Sequence, residues 1–286
     1  MDGIEVVPTG AACGAEVRCA AVQTLSDGAF PAVHSAWTEH LVLVFRDQRL
    51  DDEALVAFAS RFGTPMSERA FVPGAPDRPA VHLVANGLED GAAVGLYGAG
   101  DVAWHCDMTG FDEPPGAMLL HALEVPPAGG ETYFMNMYLA FETLPAELRE
   151  RCVRLKLKHA IARGTASAGT GPEHPLVCTH PATGCGALYL GSRENTSVVG
   201  LEPAESDALL ETLWRHVIQW RFIWKHVWRP GDLLVWDNRC LLHARVSFDP
   251  AARRILHRMQ VGPWRPILAD DALRRAPHAR RTAPDR

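Results

Sequence analysis

The chain has 286 residues, 47% of them hydrophobic and 22% charged, so it is long enough to bury a sizeable core. Its formal net charge of −6 gives no basic field for a nucleic-acid backbone, and we expect no nucleic-acid partner. The 7 cysteines are scattered and never spaced as CxxC, which argues against a zinc knuckle and a disulfide framework. Because the sequence shows no export signal and no long apolar run, we expect a cytoplasmic protein without a membrane anchor.

Short runs of β-type residues, divided by Gly, Pro and Asp turns, dominate the chain. They predict strands at residues 40–45, 80–85, 117–123, 131–137, 187–190, 232–236 and 254–261. Many short strands of this kind are typical of a sandwich or jelly roll. We expect one domain over residues 1–268 and a flexible tail over 269–286, where Arg, Ala and Pro accumulate without an apolar period.

Three helical patterns interrupt the strands. DDEALVAFASRFG has an Asp N-cap and ends at Gly63, and ETLPAELRERC has Pro145 near its start. PAESDALLETLWRHV begins at Pro203, with Ser206 and Asp207 as the expected capping region. Helices that brace a mainly β structure are therefore predicted, because the regular alternation of a doubly wound sheet is absent from the sequence.

The stretch WHCD places a histidine and an aspartate two residues apart. In a strand, alternate residues point to the same face, so His105 and Asp107 can converge on one ion while Cys106 points away. Ordinary polar strand residues would explain this spacing equally well. A candidate third ligand, His243, follows the turn WDNR, and two histidines with one carboxylate form the ligand set of non-haem Fe(II) oxygenases.

The run RRILHR follows His243. Arg254 and Arg258 are four residues apart, so on a strand both side chains face the same side. An exposed basic edge is the alternative, but the flanking core-like Val261 favours an inward orientation. Buried guanidinium groups require anions. The distal carboxylate of 2-oxoglutarate would suit the fork of Arg254 together with the hydroxyl of Thr132, and Arg258 would remain for a substrate.

Several long motifs occur in an order that resembles the taurine dioxygenase and 2,4-dichlorophenoxyacetate dioxygenase group of Fe(II)/2-oxoglutarate oxygenases. They are VFRDQRLDDEALVAFASRFG, WHCD, EVPPAGGETYFMNMYLAFETLP, and PGDLLVWDNRCLLH followed by RRILHR. The resemblance runs from about Leu41 to Pro263. It implies a double-stranded β-helix, that is, a cupin-like jelly roll. It also implies an oxidoreductase that uses Fe(II), 2-oxoglutarate and O2.

The same resemblance assigns roles to individual residues. It implies that His105, Asp107 and His243 bind Fe(II). Thr132 and Arg254 would hold the C5 carboxylate of 2-oxoglutarate. Arg258 would lie near the acidic group of a small anionic substrate. The implied reaction hydroxylates this substrate and releases succinate and CO2, and the carboxylate of Asp107 favours hydroxylation because related halogenases carry a small residue there.

Two departures from taurine dioxygenase bear on the substrate. Glu68 stands near the position of its sulfonate-binding histidine, and Asp101 stands where it has an amide, four residues before His105. Arg193 and Glu194 take the place of aromatic lining. Taurine is therefore not the expected substrate. An amino-acid-like substrate, with its amino group facing Glu68 or Asp101, is one hypothesis, and solvated acids are the other.

Other functions remain open at this point. The same iron centre could desaturate, cyclise or epimerise its substrate. A cupin-like isomerase or hydrolase would use a similar barrel without needing Thr132 and Arg254, whereas a non-catalytic binding protein would normally lack a ligand or the anchoring arginine. Residues 66–100 and 160–185 are rich in Gly and Pro and are expected to form a lid. Assembly into a homo-oligomer is also open.

Overall fold

The structure is a computed structural model that describes residues 3–67, 69, 76–89, 92–94, 98–159 and 171–269. Its strands are β1 (Glu5–Pro8), β2 (Ala15–Arg18), β3 (Val42–Phe45), β4 (His82–Ala85), β5 (Gly87–Glu89), β6 (Ala92–Val94), β7 (Val102–His105), β8 (Ala117–Glu124), β9 (Thr132–Asn136), β10 (Lys156–His159), β11 (Glu173–Pro175), β12 (Val177–Thr179), β13 (Gly186–Leu188), β14 (Thr196–Val198), β15 (Ile223–His226), β16 (Leu233–Asp237), β17 (Leu241–Arg245) and β18 (Ile255–Val261). Its α-helices are α1 (Phe30–His40), α2 (Asp52–Ala59), α3 (Met137–Glu142), α4 (Ala146–Cys152) and α5 (Pro203–Val217).

Two larger sheets face each other. One has seven strands in the order β1-β2-β3-β16-β8-β18-β4, and the other has four strands in the order β15-β9-β17-β7. Met118 and Trp236 of the first sheet and Phe134 of the second belong to one buried apolar cluster between them. The mainly β, jelly-roll architecture predicted from the sequence is therefore confirmed.

The seven-stranded sheet is buried on both faces. Along β16, Leu234 and Trp236 point into the space between the sheets. Leu233 and Val235 point the other way, into a second cluster to which α1 and α2 contribute Trp37, Leu55 and Phe58. Because both faces are covered, the strand consists of continuous apolar residues instead of alternating with polar ones.

Helix ends show where local prediction succeeded and failed. Asp51 caps α2 as predicted, and its side chain accepts a hydrogen bond from the Ala54 N–H at 2.8 Å. The α5 bounds are those predicted, but the predicted capping region is wrong, since Glu202 is the N-cap and Ser206 lies inside the helix. The Ser206 hydroxyl accepts a hydrogen bond from the Val198 N–H at 2.9 Å and so connects α5 to β14.

The predicted lid and tail lie only partly within the described residues. Residues 160–170 and several between 68 and 97 lie outside them, whereas the chain from 171 to 185 includes β11 and β12. Ala269, the first residue of the predicted tail, is buried, and its N–H donates to the Val177 carbonyl at 3.3 Å. Residues 270–286 lie outside the described residues, so the flexible tail stays a prediction. None of the described helices combines the length and apolar character that a bilayer crossing requires.

Candidate active site

The first and third candidate metal ligands face each other across two neighbouring strands. His105 ends β7, and His243 of β17 lies directly opposite it in the antiparallel register. Asp107 lies two residues after the strand has begun to turn, which differs from the predicted placement of both residues on one strand. Met108 follows with φ of 59°, so the chain turns sharply just after the carboxylate. The pairing of β7 with β17 is what unites residues so distant in sequence.

The three side chains present their ligand atoms to one point. The Nε2 atom of His243 is 3.4 Å from one Asp107 carboxylate oxygen, and the Nε2 atom of His105 is 3.8 Å from the other. One ligand atom from each residue lies within 4.8 Å of the others. The Nδ1 atom of His105 is 2.8 Å from the Ala103 carbonyl, which favours a proton on Nδ1 and leaves the Nε2 lone pair for a metal.

The charges of this group suit a divalent cation. Burial, with a smaller contribution from His105, lowers the pKa of His243 to about 3, so its imidazole is neutral and keeps a lone pair. Burial alone would raise the pKa of Asp107, but His243, Arg258 and His105 together hold it below its ordinary value. Two neutral imidazoles and one carboxylate are the protonation states that metal binding requires.

Asn238 fixes the turn that carries Asp107. Its side chain is fully buried and accepts a hydrogen bond from the Asp107 N–H at 3.1 Å. It also donates to the carbonyls of Asp107 and Pro115, each at 3.0 Å. The sequence argument treated WDNR only as a turn and missed this residue. A buried Asn beside a ligand strand was the available signal, because a buried amide needs several partners.

One cavity brings together six of the predicted site residues. It is lined by Val84, Val102, His105, Asp107, Leu120, Thr132, Trp236, His243, Arg245, Arg254 and Arg258. The two predicted arginines both point inward. Arg254 is 2% exposed, and the Arg258 side chain is 11% exposed with Nη1 3.6 Å from an Asp107 oxygen. Arg245, which the sequence argument did not consider, lines the same cavity.

Thr132 and Arg254 lie at the end of the cavity formed with Trp228. The Trp228 indole N–H donates to the Thr132 hydroxyl at 3.0 Å, so the hydroxyl hydrogen is available to another acceptor. The Nε atom of Arg254 is buried and has no acceptor among the described residues. Burial, together with the charge of Arg245, lowers the pKa of Arg254 to about 9. This end of the cavity therefore suits an anion.

The two acidic residues expected to select the substrate are placed differently. Asp101 accepts a hydrogen bond from the Ser247 N–H at 2.6 Å and lines a surface depression with Trp104 and Trp220. Among the described residues that line the metal-ligand cavity, Asp101 is not found. Glu68 lies outside the described residues. Arg193 pairs with Glu211 on the surface.

Comparison with known proteins agrees with this arrangement. A family model described as Taurine catabolism dioxygenase TauD, TfdA family matches residues 5–260. The chain belongs to this family. It is 34% identical over 285 residues to (S)-phenoxypropionate/alpha-ketoglutarate-dioxygenase of Sphingobium herbicidovorans, with 93% of this chain and 95% of that protein covered. It is 32% identical over 295 residues to pentalenolactone F synthase of Streptomyces arenae, with coverages of 92% and 98%.

The crystal structure of AAD-2 in complex with Mn(II) and N-oxalylglycine superposes with a TM-score of 0.79. Its sequence identity is 26%, and the match covers 94% of this chain and 100% of AAD-2. This TauD/TfdA family member is accordingly a 2-oxoglutarate-dependent dioxygenase that uses Fe(II) and O2, as the resemblance of its motifs implied. The cupin-like isomerase or hydrolase and the non-catalytic binding protein are set aside.

Proposed function

We propose that His105, Asp107 and His243 are the Fe(II) ligands of this dioxygenase. The observation that carries the proposal is the convergence of two imidazole nitrogens and one carboxylate within 4.8 Å in a buried cavity. These donors leave one side of the ion open, as a facial triad requires. When bound, Fe(II) supplies the activation of O2 that couples decarboxylation of 2-oxoglutarate to oxidation of a substrate C–H bond.

Thr132 and Arg254 bind the distal carboxylate of 2-oxoglutarate. Arg254 is a buried cation whose Nε atom lacks an acceptor in the described part of the chain. A carboxylate would pair with the guanidinium and accept the free hydroxyl hydrogen of Thr132. Trp228 holds the Thr132 oxygen from the other side, so the hydroxyl is oriented before the cosubstrate arrives. These residues position the cosubstrate and take no part in bond breaking.

Arg258 binds the anionic group of the substrate. Its guanidinium is near Asp107 and therefore beside the ion site, where it can hold an acid with its C–H bond towards the metal. Val84 and Leu120 give the cavity apolar walls, which exclude water around the reacting carbon. A relative named for (S)-phenoxypropionate supports a small carboxylate as the substrate.

Hydroxylation is the expected outcome, because Asp107 is retained. The similarity to pentalenolactone F synthase favours a second candidate, a biosynthetic oxidation such as desaturation or cyclisation, with epimerisation in the same class. Product analysis by mass spectrometry separates these outcomes, since hydroxylation adds 16 mass units and desaturation removes 2. Cyclisation by loss of two hydrogens has the mass of desaturation and is distinguished from it by NMR.

A screen for succinate release tests the proposed function. Small carboxylates and sulfate esters are compared with their neutral methyl esters or alcohols, and amino acids with the matching amine-free acids. We expect turnover of an acid and not of its neutral partner, and Arg258→Gln should raise the KM for that acid. Equal turnover of amino and amine-free acids would remove the motive for Glu68 and Asp101 as amine-binding residues.

The control for Arg258 is Arg253→Gln. Arg253 lies in the same basic run, but it is exposed and pairs with Glu124 at 2.7 Å. Its replacement should leave the KM for the acid unchanged. Equal turnover of acids and their neutral partners, or equal effects of the two substitutions, would contradict the role of Arg258.

A further inference from the structure

We propose that Arg245 is a second cationic residue for the distal carboxylate of 2-oxoglutarate, and that it makes the site selective for 2-oxo acids with a second carboxylate. The inference rests on the proposed function of Thr132 and Arg254 and extends it. Its basis is the strand register, the position of the side chain and the charge of the cavity.

The register places Arg245 beside the predicted carboxylate site. On β17, Arg245 is two residues after His243, and both side chains line the same cavity. Across the antiparallel pair, Arg245 lies directly opposite Thr132 of β9. Directly opposite residues have Cβ atoms about 4.5–5.5 Å apart on one face of a sheet. The hydroxyl proposed to bind the carboxylate thus has a guanidinium as its cross-strand neighbour.

The Arg245 side chain is held in place. It is 7% exposed, and its Nη2 atom donates to the Gly100 carbonyl. Its guanidinium carbon is 5.4 Å from the centroid of the Phe248 ring, and that of Arg254 is 6.0 Å from the same centroid. Both cations therefore lie against one aromatic wall, close to Thr132.

Two buried cations at one end of a cavity repel each other. The repulsion is visible in Arg254, whose pKa is lowered first by burial and then by Arg245. Placing two guanidinium groups in a desolvated site is unfavourable unless an anion compensates them. The distal carboxylate of 2-oxoglutarate supplies this anion, and two forks with one hydroxyl provide enough donors for its two oxygens.

This arrangement predicts strong discrimination between 2-oxo acids. A chain of the same length without the distal carboxylate, 2-oxopentanoate, would leave both guanidinium groups without their anion. A hydrogen bond to a charged group contributes about 1.5–3 kcal/mol, so loss of the Arg245 contact should weaken 2-oxoglutarate binding about 10- to 100-fold. Binding of 2-oxopentanoate should change less than about 2-fold, since it never makes the contact.

Calorimetric titration of the Mn(II)-loaded full-length protein tests this without turnover. The protein is titrated with 2-oxoglutarate and with 2-oxopentanoate, as wild type, Arg245→Gln, Arg245→Lys and the exposed control Arg253→Gln. We expect Arg245→Gln to lose affinity for 2-oxoglutarate alone, Arg245→Lys to lose less, and Arg253→Gln to match wild type. Mn(II) affinity measured separately should be unchanged in all four proteins.

The outcomes separate the two proposals. If wild type fails to bind 2-oxoglutarate with Mn(II) present, the proposed function fails. If wild type binds it and Arg245→Gln binds it equally well, or if this variant weakens both 2-oxo acids alike, the role of Arg245 is overturned. Should Arg245→Gln not fold, Arg245→Lys decides the matter, and wild-type affinity and selectivity in this variant would refute the inference.

Discussion

Replacing Asn238 with alanine should damage both the stability of the protein and its metal site. The substitution removes three hydrogen bonds to backbone groups, one from the Asp107 N–H and one each to the carbonyls of Asp107 and Pro115. Each such bond contributes about 1 kcal/mol, so the free energy of unfolding should fall by about 3 kcal/mol. For a chain of this length, the fall corresponds to a decrease in Tm of about 6 °C.

Metal affinity should fall as well, because the released turn no longer directs the Asp107 carboxylate. A group that orients a metal ligand typically contributes 10- to 100-fold to affinity, so we expect Mn(II) to bind at least about 10-fold more weakly. The assay pairs urea unfolding of the metal-free protein with a Mn(II) titration of the folded protein. The two measurements separate global destabilisation from a specific effect on the ligand.

Asn136→Ala is the matched control. Asn136 is also buried and makes three hydrogen bonds to the backbone, with Tyr138, Leu139 and Ala12 at 3.0, 3.2 and 2.7 Å. It caps α3 and contacts no metal ligand through these bonds. We expect a similar loss of stability with unchanged Mn(II) affinity. Equal Mn(II) affinities in the two variants would refute the reasoning about Asn238.

Three further predictions follow from single contacts. Trp228→Phe removes the hydrogen bond to Thr132 and should raise the KM for 2-oxoglutarate about 2- to 10-fold, with kcat nearly unchanged in steady-state assays. Gly191→Ala should cost several kcal/mol in urea unfolding, because its Cβ would lie 2.4 Å from the His159 Nδ1 atom, whereas Gly184→Ala, with a similar φ and nothing within 4 Å, should cost only about 1 kcal/mol. Burial lowers the pKa of His159 to about 3 from 6.5, so its contribution to stability is present above pH 6.5 and is lost as the pH falls towards 3. Between pH 7 and pH 5 this loss is about 2 kcal/mol, and a metal-free His159→Gln variant should show a correspondingly flatter pH dependence of unfolding; an unchanged slope would contradict the assignment.

The sequence was sufficient for the chemistry of the centre, because its evidence is local. His105, Asp107 and His243 stand in stretches with few explanations other than a metal site once they are combined. The inward orientation of Arg254 and Arg258 followed from strand periodicity alone, and β18 confirms it. The two positions share a face because an even spacing survives any change in the strand's tilt or twist.

What the sequence could not provide was pairing. Arg245 acquires its place from the cross-strand register with Thr132, and Asn238 acquires its role from the turn after His105. Neither register nor turn geometry is encoded in a short window. Asp101 failed as a substrate residue of the cavity for the same reason, since its backbone partner, Ser247, is remote in sequence. Long-range contacts of this kind appear only when the strands are assembled.

The central claim is that His105, Asp107 and His243 hold Fe(II) next to the 2-oxoglutarate site. Its most direct test is the visible charge-transfer absorption that forms when Fe(II) and 2-oxoglutarate are added to the protein without oxygen. We expect the band in wild type and in His257→Ala, whose side chain faces Asp52 on the helix side of β18. We expect it to be lost in His105→Ala and Asp107→Ala, and an undiminished band in these two variants would contradict the account.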